Sequence, residues 1–394
     1  MCQQEKYRSN VPASLPSFVS VRGKMTICAR IRDYRCHRLI AAVVISCLVT
    51  TSVLLVPLVS LLSRSIDASQ VKYGYKLTYK TWLDHLCPRS QIRNAPAQQL
   101  KWEPPSAQTI FFMQTSCANA LTAREACAVE SFAHHHPDRP ILLLMTSLTI
   151  NHTNPVMQTL LQLPNFRAAY LDLDVVFSEE PLRTWHRDKN WLFVEKRAGM
   201  ALSDASRSEI LRRYGGTYTD LDAIALRPLP NGTNWLAEFY GGRVTAALSS
   251  FLPGHSLFQR VVDAIPRVFD PYACCSIGPD LVTAEMRHLC PDTFSSIVTE
   301  DLQGPAVCSD ITVLPISNFY PINYEMGPRG FSQLLRSGTG QEFLKNTKAY
   351  SLHLFSSLTA RDVLYLGGGS ILEEVAKKYC PKVFKVQRSI SDVI

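Results

Sequence analysis

The segment Leu202–Asp222 constrains the fold of this chain more than any other part of the sequence. It predicts a helix over Asp204–Tyr214, a tight turn at Gly215–Gly216 and then a strand. Glycine suits such a turn, because without a Cβ it adopts backbone angles that other residues resist. Asp220 and Asp222 are two positions apart, so on an extended strand both side chains point to the same face.

Apolar, strand-like runs alternate with helical stretches around this segment. The predicted elements are a strand over Thr109–Met113, a helix over Thr122–Ala133, a strand over Pro140–Met145, a helix over Met157–Leu163, a strand over Phe166–Leu171, the helix Asp204–Tyr214 and a strand over Tyr218–Leu226. This alternation predicts an α/β domain with a mostly parallel central sheet. Open α/β sheets bind ligands beyond the carboxyl ends of their strands, where the two aspartates fall.

The chemistry of this segment favours a divalent cation and a phosphorylated ligand. Carboxylate oxygens are hard ligands that suit Mn²⁺ or Mg²⁺, which keep positions open for phosphate oxygens. Asp204 and Arg207 lie one helical turn apart, so they face the same side. Arginine suits phosphates and sugar hydroxyls. A sugar nucleotide, whose diphosphate gains charge as it leaves, would fit such a site.

Several other motifs have a simpler interpretation. Asp172 and Asp174 repeat the Asp-x-Asp pattern without the preceding helix and glycine turn, so an exposed strand end or turn is favoured there. His134–His136 closes a predicted helix, and adjacent histidines do not all face one point. Gly367–Ser370 resembles a phosphate-binding loop but lacks its lysine, so we predict a cap by Ser370, paired with a glutamate, on the helix that follows.

The segment Ala201–Leu229 resembles the glycosyltransferases with the DXD sugar-binding motif. Their pattern of Ser-Asp-x-x-Arg followed by Gly-Gly-x-Tyr-x-Asp-x-Asp runs here from Ser203 to Asp222. The resemblance extends over roughly residues 105–382. Further similar blocks are Thr109–Ser116, Cys127–Pro137, Ile141–Met145, Gly278–Thr283, Phe319–Ile322 and Ser351–His353.

The resemblance implies a GT-A-like nucleotide-sugar-binding fold and a retaining enzyme. Its donor would be a UDP-sugar carrying galactose, N-acetylgalactosamine or N-acetylglucosamine, and Mn²⁺ or Mg²⁺ would bind at the motif. The product would be an α1,4 linkage on a glycosphingolipid or glycan acceptor. The implied site residues are Asp204, Arg207, Asp220 and Asp222 for catalysis, Asp220, Asp222 and His353 for the metal, and Tyr218, Gly215, Gly216, Gly278 and Thr283 for donor binding.

The chain also departs from the family pattern at Thr245–Leu248, at Ile277 before the Gly-Pro pair, and at Phe355–Ser356 after the histidine. These departures fall on the acceptor side of the expected site. An alternative interpretation is therefore a catalytically silent relative that binds UDP-sugar or acts as a scaffold for other Golgi enzymes. His353 has its own alternative, since a lone histidine in a strand is usually a structural residue.

The N-terminal region predicts a membrane anchor. Basic residues crowd residues 1–38 and precede the apolar run Leu39–Ser63, which is long enough to cross a bilayer and too long and too late for a cleaved signal peptide. The domains expected are a cytosolic tail at 1–38, an anchor at 39–63, a stem at 64–106 and a luminal catalytic domain at 107–394. The net charge of +8 comes largely from this tail, so no nucleic-acid partner is expected.

Cysteine usage supports an oxidising compartment such as the Golgi lumen. Eight of the 12 cysteines follow the apolar run, and proximity suggests the pairs Cys117–Cys127 and Cys290–Cys308. Sequons begin at Asn151 and Asn231. The partners expected are the UDP-sugar, the acceptor, the Golgi membrane, and either a second copy of the chain or other Golgi enzymes.

Overall fold

The computed structural model describes residues 99–394, except 274, 292–293, 295–301, 303, 323–327 and 360–361. Its strands are β1 (Ile110–Gln114), β2 (Ile141–Met145), β3 (Phe166–Tyr170), β4 (Gly216–Thr219), β5 (Ala223–Ala225), β6 (Trp235–Phe239), β7 (Arg243–Phe251), β8 (Ala306–Cys308), β9 (Ile311–Leu314) and β10 (Ser351–His353). Its helices are α1 (Ala123–His135), α2 (Pro155–Leu161), α3 (Leu173–Val176), α4 (Leu182–Asp188), α5 (Glu195–Tyr214), α6 (Ser256–Val268), α7 (Pro279–Leu289), α8 (Pro328–Leu335), α9 (Gly340–Asn346), α10 (Ser356–Thr359), α11 (Ile371–Tyr379) and α12 (Pro381–Ile390). Short 3₁₀ turns lie at Asn190–Leu192 and Ile316–Asn318.

A mixed sheet of eight strands forms the centre of the described region, in the order β3-β2-β1-β4-β7-β6-β9-β8. The pairs β1–β2, β2–β3, β1–β4 and β6–β9 are parallel. The pairs β4–β7, β6–β7 and β8–β9 are antiparallel. The predicted α/β class with a mostly parallel sheet is confirmed, and the antiparallel strands all come after Asp222, where the sequence pattern is harder to interpret.

The parallel half of the sheet follows directly from its sequence. β1 and β2 are apolar apart from Gln114 at the end of β1, and every residue in them is buried, as a sheet covered on both faces requires. The helix α1 covers this half and begins with a capping box, in which Thr122 and Glu125 exchange hydrogen bonds with each other's backbone N–H groups.

The predicted strand Tyr218–Leu226 is wrong in one respect, because it is interrupted. β4 ends at Thr219, and β5 belongs to a separate two-stranded sheet with β10. A turn closed by the hydrogen bond from Ala223 N–H to the Asp220 carbonyl joins the two strands at 3.2 Å. The two aspartates therefore lie in the turn between two sheets, and the alternation of an extended strand does not apply to them.

The C-terminal helices are fastened to α1. Cys127 forms a disulfide with Cys380, so the predicted Cys117–Cys127 pair is wrong, because proximity in sequence gave no information on this distant partner. Glu130 on α1 accepts hydrogen bonds from the first N–H groups of α12. The predicted disulfide between Cys290 and Cys308 is confirmed.

The predicted fold also included a transmembrane helix over residues 39–63, and this part is corrected. In the part of the chain that the structure describes, no helix has both the length and the apolar character needed to cross a membrane. An apolar run of sufficient length satisfies the requirement for a span but does not itself establish a helix. Residues 1–98, which contain the predicted tail, anchor and most of the stem, lie outside the described residues.

Candidate active site

The turn after α5 places the aspartate pair at the edge of the large sheet. α5 is longer than predicted and ends at Tyr214; its C-cap Gly215 has φ +63° and is followed by Gly216 with φ +100°. A Cβ on Gly215 would lie 2.6 Å from the Phe251 carbonyl oxygen, and one on Gly216 would lie 2.9 Å from that of Ser106. Both glycines therefore allow close backbone packing in the turn. Neither is among the described residues that line the cavity beside Asp220 and Asp222.

Two carboxylates and an imidazole converge at the turn. One ligand atom from each of Asp220, Asp222 and His353 lies within 4.8 Å of the others. The antiparallel pairing of β5 with β10 sets His353 opposite Ala223, the residue after the aspartate pair. Nε2 of His353 lies 3.1 Å from Oδ1 of Asp222 and 3.8 Å from Oδ2 of Asp220. The structure thus brings together all three residues proposed from sequence as metal ligands.

Asp220 is held by two neighbours from the preceding helix and strand. The Arg207 guanidinium lies 3.4 Å from Oδ1 of Asp220 and 2.9 Å from Oδ1 of Asp204. The Tyr218 hydroxyl donates to Oδ1 of Asp220 at 2.6 Å. The guanidinium also lies over the Tyr218 ring, 4.6 Å from its centroid. Asp204, Arg207 and Tyr218 therefore form one buried polar network with the first aspartate of the pair.

Burial and neighbouring charges together shift the pKa values of Asp204 and Asp220 in opposite directions. Burial raises the pKa of Asp204 to about 6, although Arg207 opposes the shift. Burial also acts to raise the pKa of Asp220, but Arg207 and His353 outweigh it and hold that pKa below its usual range. Asp220 is therefore ionised at neutral pH and available to a cation.

The other titratable groups of the site are shifted by the same neighbours. Burial acts to lower the pKa of His353, but Asp222 and Asp220 raise it above its usual value. Burial raises the pKa of Tyr218 and of Tyr320 well above the usual range, so both phenols keep their protons.

Gly278 is the N-cap of α7 and lies next to Asp204, and Thr283 lies within the same helix. A Cβ on Gly278 would lie 2.9 Å from Oδ2 of Asp204, so only glycine leaves room for that carboxylate. The Thr283 hydroxyl is buried between α7 and β7, where it accepts from Val244 N–H. Thr283 is not among the described residues that line the cavity, whereas Pro279 is.

The network and the aspartate pair line a cavity of about 430 Å³. Sequence reasoning missed several of its walls, which are Gln114, Glu125, Phe239, Arg243 and Tyr320. Tyr320 lies within a block that resembles the family, and its ring centroid is 5.2 Å from that of His353. Gln114 also lies within such a block, Thr109–Ser116, whereas Glu125, Phe239 and Arg243 lie outside these blocks. Two positions where the chain departs from the family pattern, Thr245 and Phe355, also line the cavity.

The Asp172–Asp174 pair and the histidine run are bonded within the fold, and the aspartates lie at the start of a helix instead of the expected strand end or turn. Asp172 caps the short helix α3 through the N–H groups of Asp174 and Val175. In the histidine run, His136 accepts from Leu229 N–H and bonds the Phe132 carbonyl.

The glycine-rich loop before α11 already holds an anion of its own. Ser370 caps that helix by accepting from Glu373 N–H. The Glu373 carboxylate accepts from the N–H groups of Gly367 and Gly369, each at 2.8 Å. The N–H groups that a phosphate would need are therefore bonded within the chain.

The residues at the aspartate pair fit a divalent cation. Two carboxylates and one imidazole offer the oxygen and nitrogen ligands that suit Mn²⁺. The carboxylates of Asp220 and Asp222 repel each other, because their ligand atoms lie within 4.8 Å of one another. A bound cation would relieve that repulsion. Arg207 supplies a permanent positive charge beside Asp220.

Comparisons with known proteins find two matched regions in the chain. Residues 122–240 match the glycosyltransferase sugar-binding region containing the DXD motif, and residues 250–387 match the alpha 1,4-glycosyltransferase conserved region. The human alpha-1,4-N-acetylglucosaminyltransferase is 27% identical over 290 residues, which cover 70% of this chain and 79% of that protein. The rat lactosylceramide 4-alpha-galactosyltransferase is 28% identical over 296 residues, which cover 73% of this chain and 78% of the relative.

Among solved structures, the PaToxG glycosyltransferase is similar, with a TM-score of 0.39 and 14% sequence identity. The match covers 58% of this chain and 83% of the PaToxG chain. The two matched regions follow one another along the chain, and Asp220 and Asp222 lie in the first while His353 lies in the second. The chain therefore belongs to the glycosyltransferases that carry the DXD sugar-binding region and the alpha 1,4-glycosyltransferase conserved region.

Proposed function

We propose that this glycosyltransferase is metal-dependent and transfers a hexose or N-acetylhexosamine from a UDP-sugar, in α1,4 linkage, to a glycolipid or glycan. The observation that carries the proposal is the convergence of Asp220, Asp222 and His353 on the wall of a cavity, beside Arg207. The relatives named for α1,4 transfer support the linkage. Mn²⁺ is the preferred cation of the proposal because one of the three ligands is nitrogen.

The residues of the site would divide the work between binding and charge. When bound, the cation neutralises the charge that develops on the leaving diphosphate. Asp220, Asp222 and His353 are the residues that would hold it. Arg207 remains cationic because Asp204 and Asp220 flank it, so it can contact a donor sugar or phosphate oxygen. Tyr218 keeps Asp220 in place through its hydroxyl.

A silent scaffold is the competing interpretation. A buried set of charges is costly to fold, and removal of charges in favour of apolar residues is often neutral or stabilising. A protein that needed only a docking surface would have no use for the buried Asp204–Arg207–Asp220 network. The network therefore favours an active enzyme.

The disulfides bear on the compartment. Cys127–Cys380 and Cys290–Cys308 are bonds that form and persist in an oxidising environment. We place the proposed reaction in the secretory pathway, and in the Golgi lumen as the compartment where donors and acceptors of this kind meet.

The test uses the full chain with Mn²⁺ and a panel of UDP-sugars, against β-galactoside and β-hexosaminide acceptors. The double variant Asp220→Ala/Asp222→Ala is the blank, and Asp172→Ala/Asp174→Ala is the matched control from the same kind of motif. Transfer or hydrolysis of one donor by the wild type and the control, but not by the blank, would support the proposal. Mn²⁺-dependent UDP binding without turnover of any donor would overturn it in favour of the silent relative.

A further inference from the structure

The hydroxyl of Tyr320 is a buried polar group without a hydrogen bond. Tyr320 lines the cavity and is 4% exposed, and its hydroxyl oxygen has no hydrogen-bond partner among the described residues. No other described residue that lines the cavity has a buried side-chain nitrogen or oxygen in this state. Most buried polar groups in folded proteins are bonded, because a buried hydroxyl without a partner lowers stability. The hydroxyl of Tyr320 therefore calls for an explanation outside the fold itself.

The Tyr320 ring is held in one orientation by its surroundings. Its centroid lies 5.2 Å from that of His353, 5.4 Å from that of Phe239 and 5.8 Å from that of Phe355. Its backbone N–H donates to the Ile316 carbonyl at 2.9 Å, which ties the residue to the 3₁₀ turn before it. Packing of this kind locks a side-chain rotamer, so the hydroxyl is set in place before any ligand binds.

The charged groups of the site surround this hydroxyl. Burial raises the pKa of Tyr320 well above its usual range, and Asp220 and Asp222 act in the same direction, while Arg207 opposes them. The phenol therefore keeps its proton and is a hydrogen-bond donor at neutral pH. Arg207, Asp220, Asp222 and Tyr320 all line the same cavity. A donor at this position suits an anionic oxygen, since hydrogen bonds to charged acceptors are the strong ones.

We infer that the Tyr320 hydroxyl binds the diphosphate of the donor, by donating a hydrogen bond to one of its oxygens on the side where the cation and Arg207 neutralise it. The inference rests on the proposed function and deepens it, because it assigns a diphosphate contact outside the motif that contains the aspartate pair. The proton stays on the phenol throughout. The hydrogen bond would strengthen as negative charge grows on the departing diphosphate, so it would contribute to the rate as well as to binding.

Stability distinguishes this role from a structural one. Tyr320→Phe keeps the ring and removes only the hydroxyl, which makes no bond within the described fold. The melting temperature of the ligand-free variant should therefore equal or exceed that of the wild type. Tyr240→Phe is the matched control, because Tyr240 is 6% exposed and its hydroxyl donates to the Ile322 carbonyl at 3.2 Å. Loss of that bond should lower the melting temperature.

The test is calorimetric titration of the full-length proteins with UDP in the presence of Mn²⁺. UDP carries the diphosphate without the sugar, so it reports on the proposed contact alone. We expect Tyr320→Phe to bind UDP roughly 10–100-fold more weakly than the wild type, which is the scale of one hydrogen bond to a charged group. Tyr240→Phe should bind UDP as the wild type does, since Tyr240 is not among the described residues that line the cavity.

Equal UDP affinity of the wild type and Tyr320→Phe would overturn the inference, even if the KM for a UDP-sugar rose, because the contact would then be to the sugar. An equal loss of affinity in Tyr240→Phe would also overturn it. So would a melting temperature of Tyr320→Phe as low as that of Tyr240→Phe, since the hydroxyl would then have a structural role. Failure of the wild type itself to bind UDP would instead overturn the donor of the proposed function.

Discussion

Nε2 of His353 lies 3.1 Å from Oδ1 of Asp222, although the two residues come from distant parts of the sequence. The contact depends on the antiparallel register of β5 and β10, in which His353 pairs with Ala223. It joins an imidazole to a carboxylate that also accepts from Ser356 N–H. Asp222 is therefore held by two residues from the C-terminal part of the chain.

Replacement of Asp222 should remove activity without unfolding the protein. Asp222→Asn keeps the shape of the side chain and an acceptor for Ser356 N–H but removes the charge that a cation needs. We expect transfer to fall by at least roughly 100-fold, since loss of one charge-stabilising group has that scale. Initial rates with saturating Mn²⁺ measure the effect.

The control for this variant is Asp172→Asn, which alters an exposed helix cap far from the cavity. It should retain the wild-type rate and stability, because asparagine caps a helix about as well as aspartate. A normal rate in Asp222→Asn, or an inactive Asp172→Asn, would show that the wrong aspartate pair had been assigned.

Gly278→Ala should disturb the site from the side of α7. The added Cβ would lie 2.9 Å from Oδ2 of Asp204, which is buried and paired with Arg207, so the carboxylate must shift. A misplacement of about 1 Å in the groups that position a substrate can reduce the rate roughly 100-fold. Gly304→Ala is the matched control, because nothing lies within 4 Å of a Cβ there. Equal rates in the two variants would contradict the steric argument.

The raised pKa of Asp204 gives a signed dependence of stability on pH. Its native pKa of about 6 lies above the ordinary value of 3.8, so between these values the native state binds more protons than the unfolded state. The free energy of unfolding should therefore fall as pH rises from about 4 to about 6, by up to about 3 kcal/mol from this group. Urea denaturation of metal-free protein at several pH values measures it.

Asp204→Asn isolates this contribution from that of the other carboxyl groups. The variant should show a shallower decline over the same pH window, since the amide does not titrate. Superimposable pH profiles for wild type and variant would refute the assignment.

The two disulfides should differ in their contribution to stability. Cys127–Cys380 spans a sequence separation of 253 and Cys290–Cys308 spans 18. In the chain-entropy model the longer loop is stabilised by roughly 2 kcal/mol more. Chemical denaturation of Cys127→Ala/Cys380→Ala and of Cys290→Ala/Cys308→Ala compares them, and a larger loss from the second pair would contradict the model.

The sequence predicted those parts of the site that lie close together along the chain. The helix with Asp204 and Arg207, the glycine turn and Asp220 form one contiguous motif. The three charged residues line the cavity, whereas the two glycines do not. The apolar runs of β1 and β2 were identifiable because both faces of each strand are buried.

The sequence could not predict what depends on pairing between distant segments. The break between β4 and β5 follows from the pairing of β5 with β10, which has no local signature. The partner of Cys127 was missed for the same reason. Phe355 stood out only as a departure from a family pattern, because a left-handed backbone at phenylalanine cannot be read from residue type.

The pairing of β5 with β10 also bears on how the chain could be recombined. Asp220 and Asp222 belong to the first matched region and His353 to the second, and neither region alone contains the complete set of proposed ligands. The two regions are therefore both needed to complete the set of proposed ligands. A chimera that joined them from different relatives would assemble a site only if Ala223 and His353 still met in register across the two parental segments.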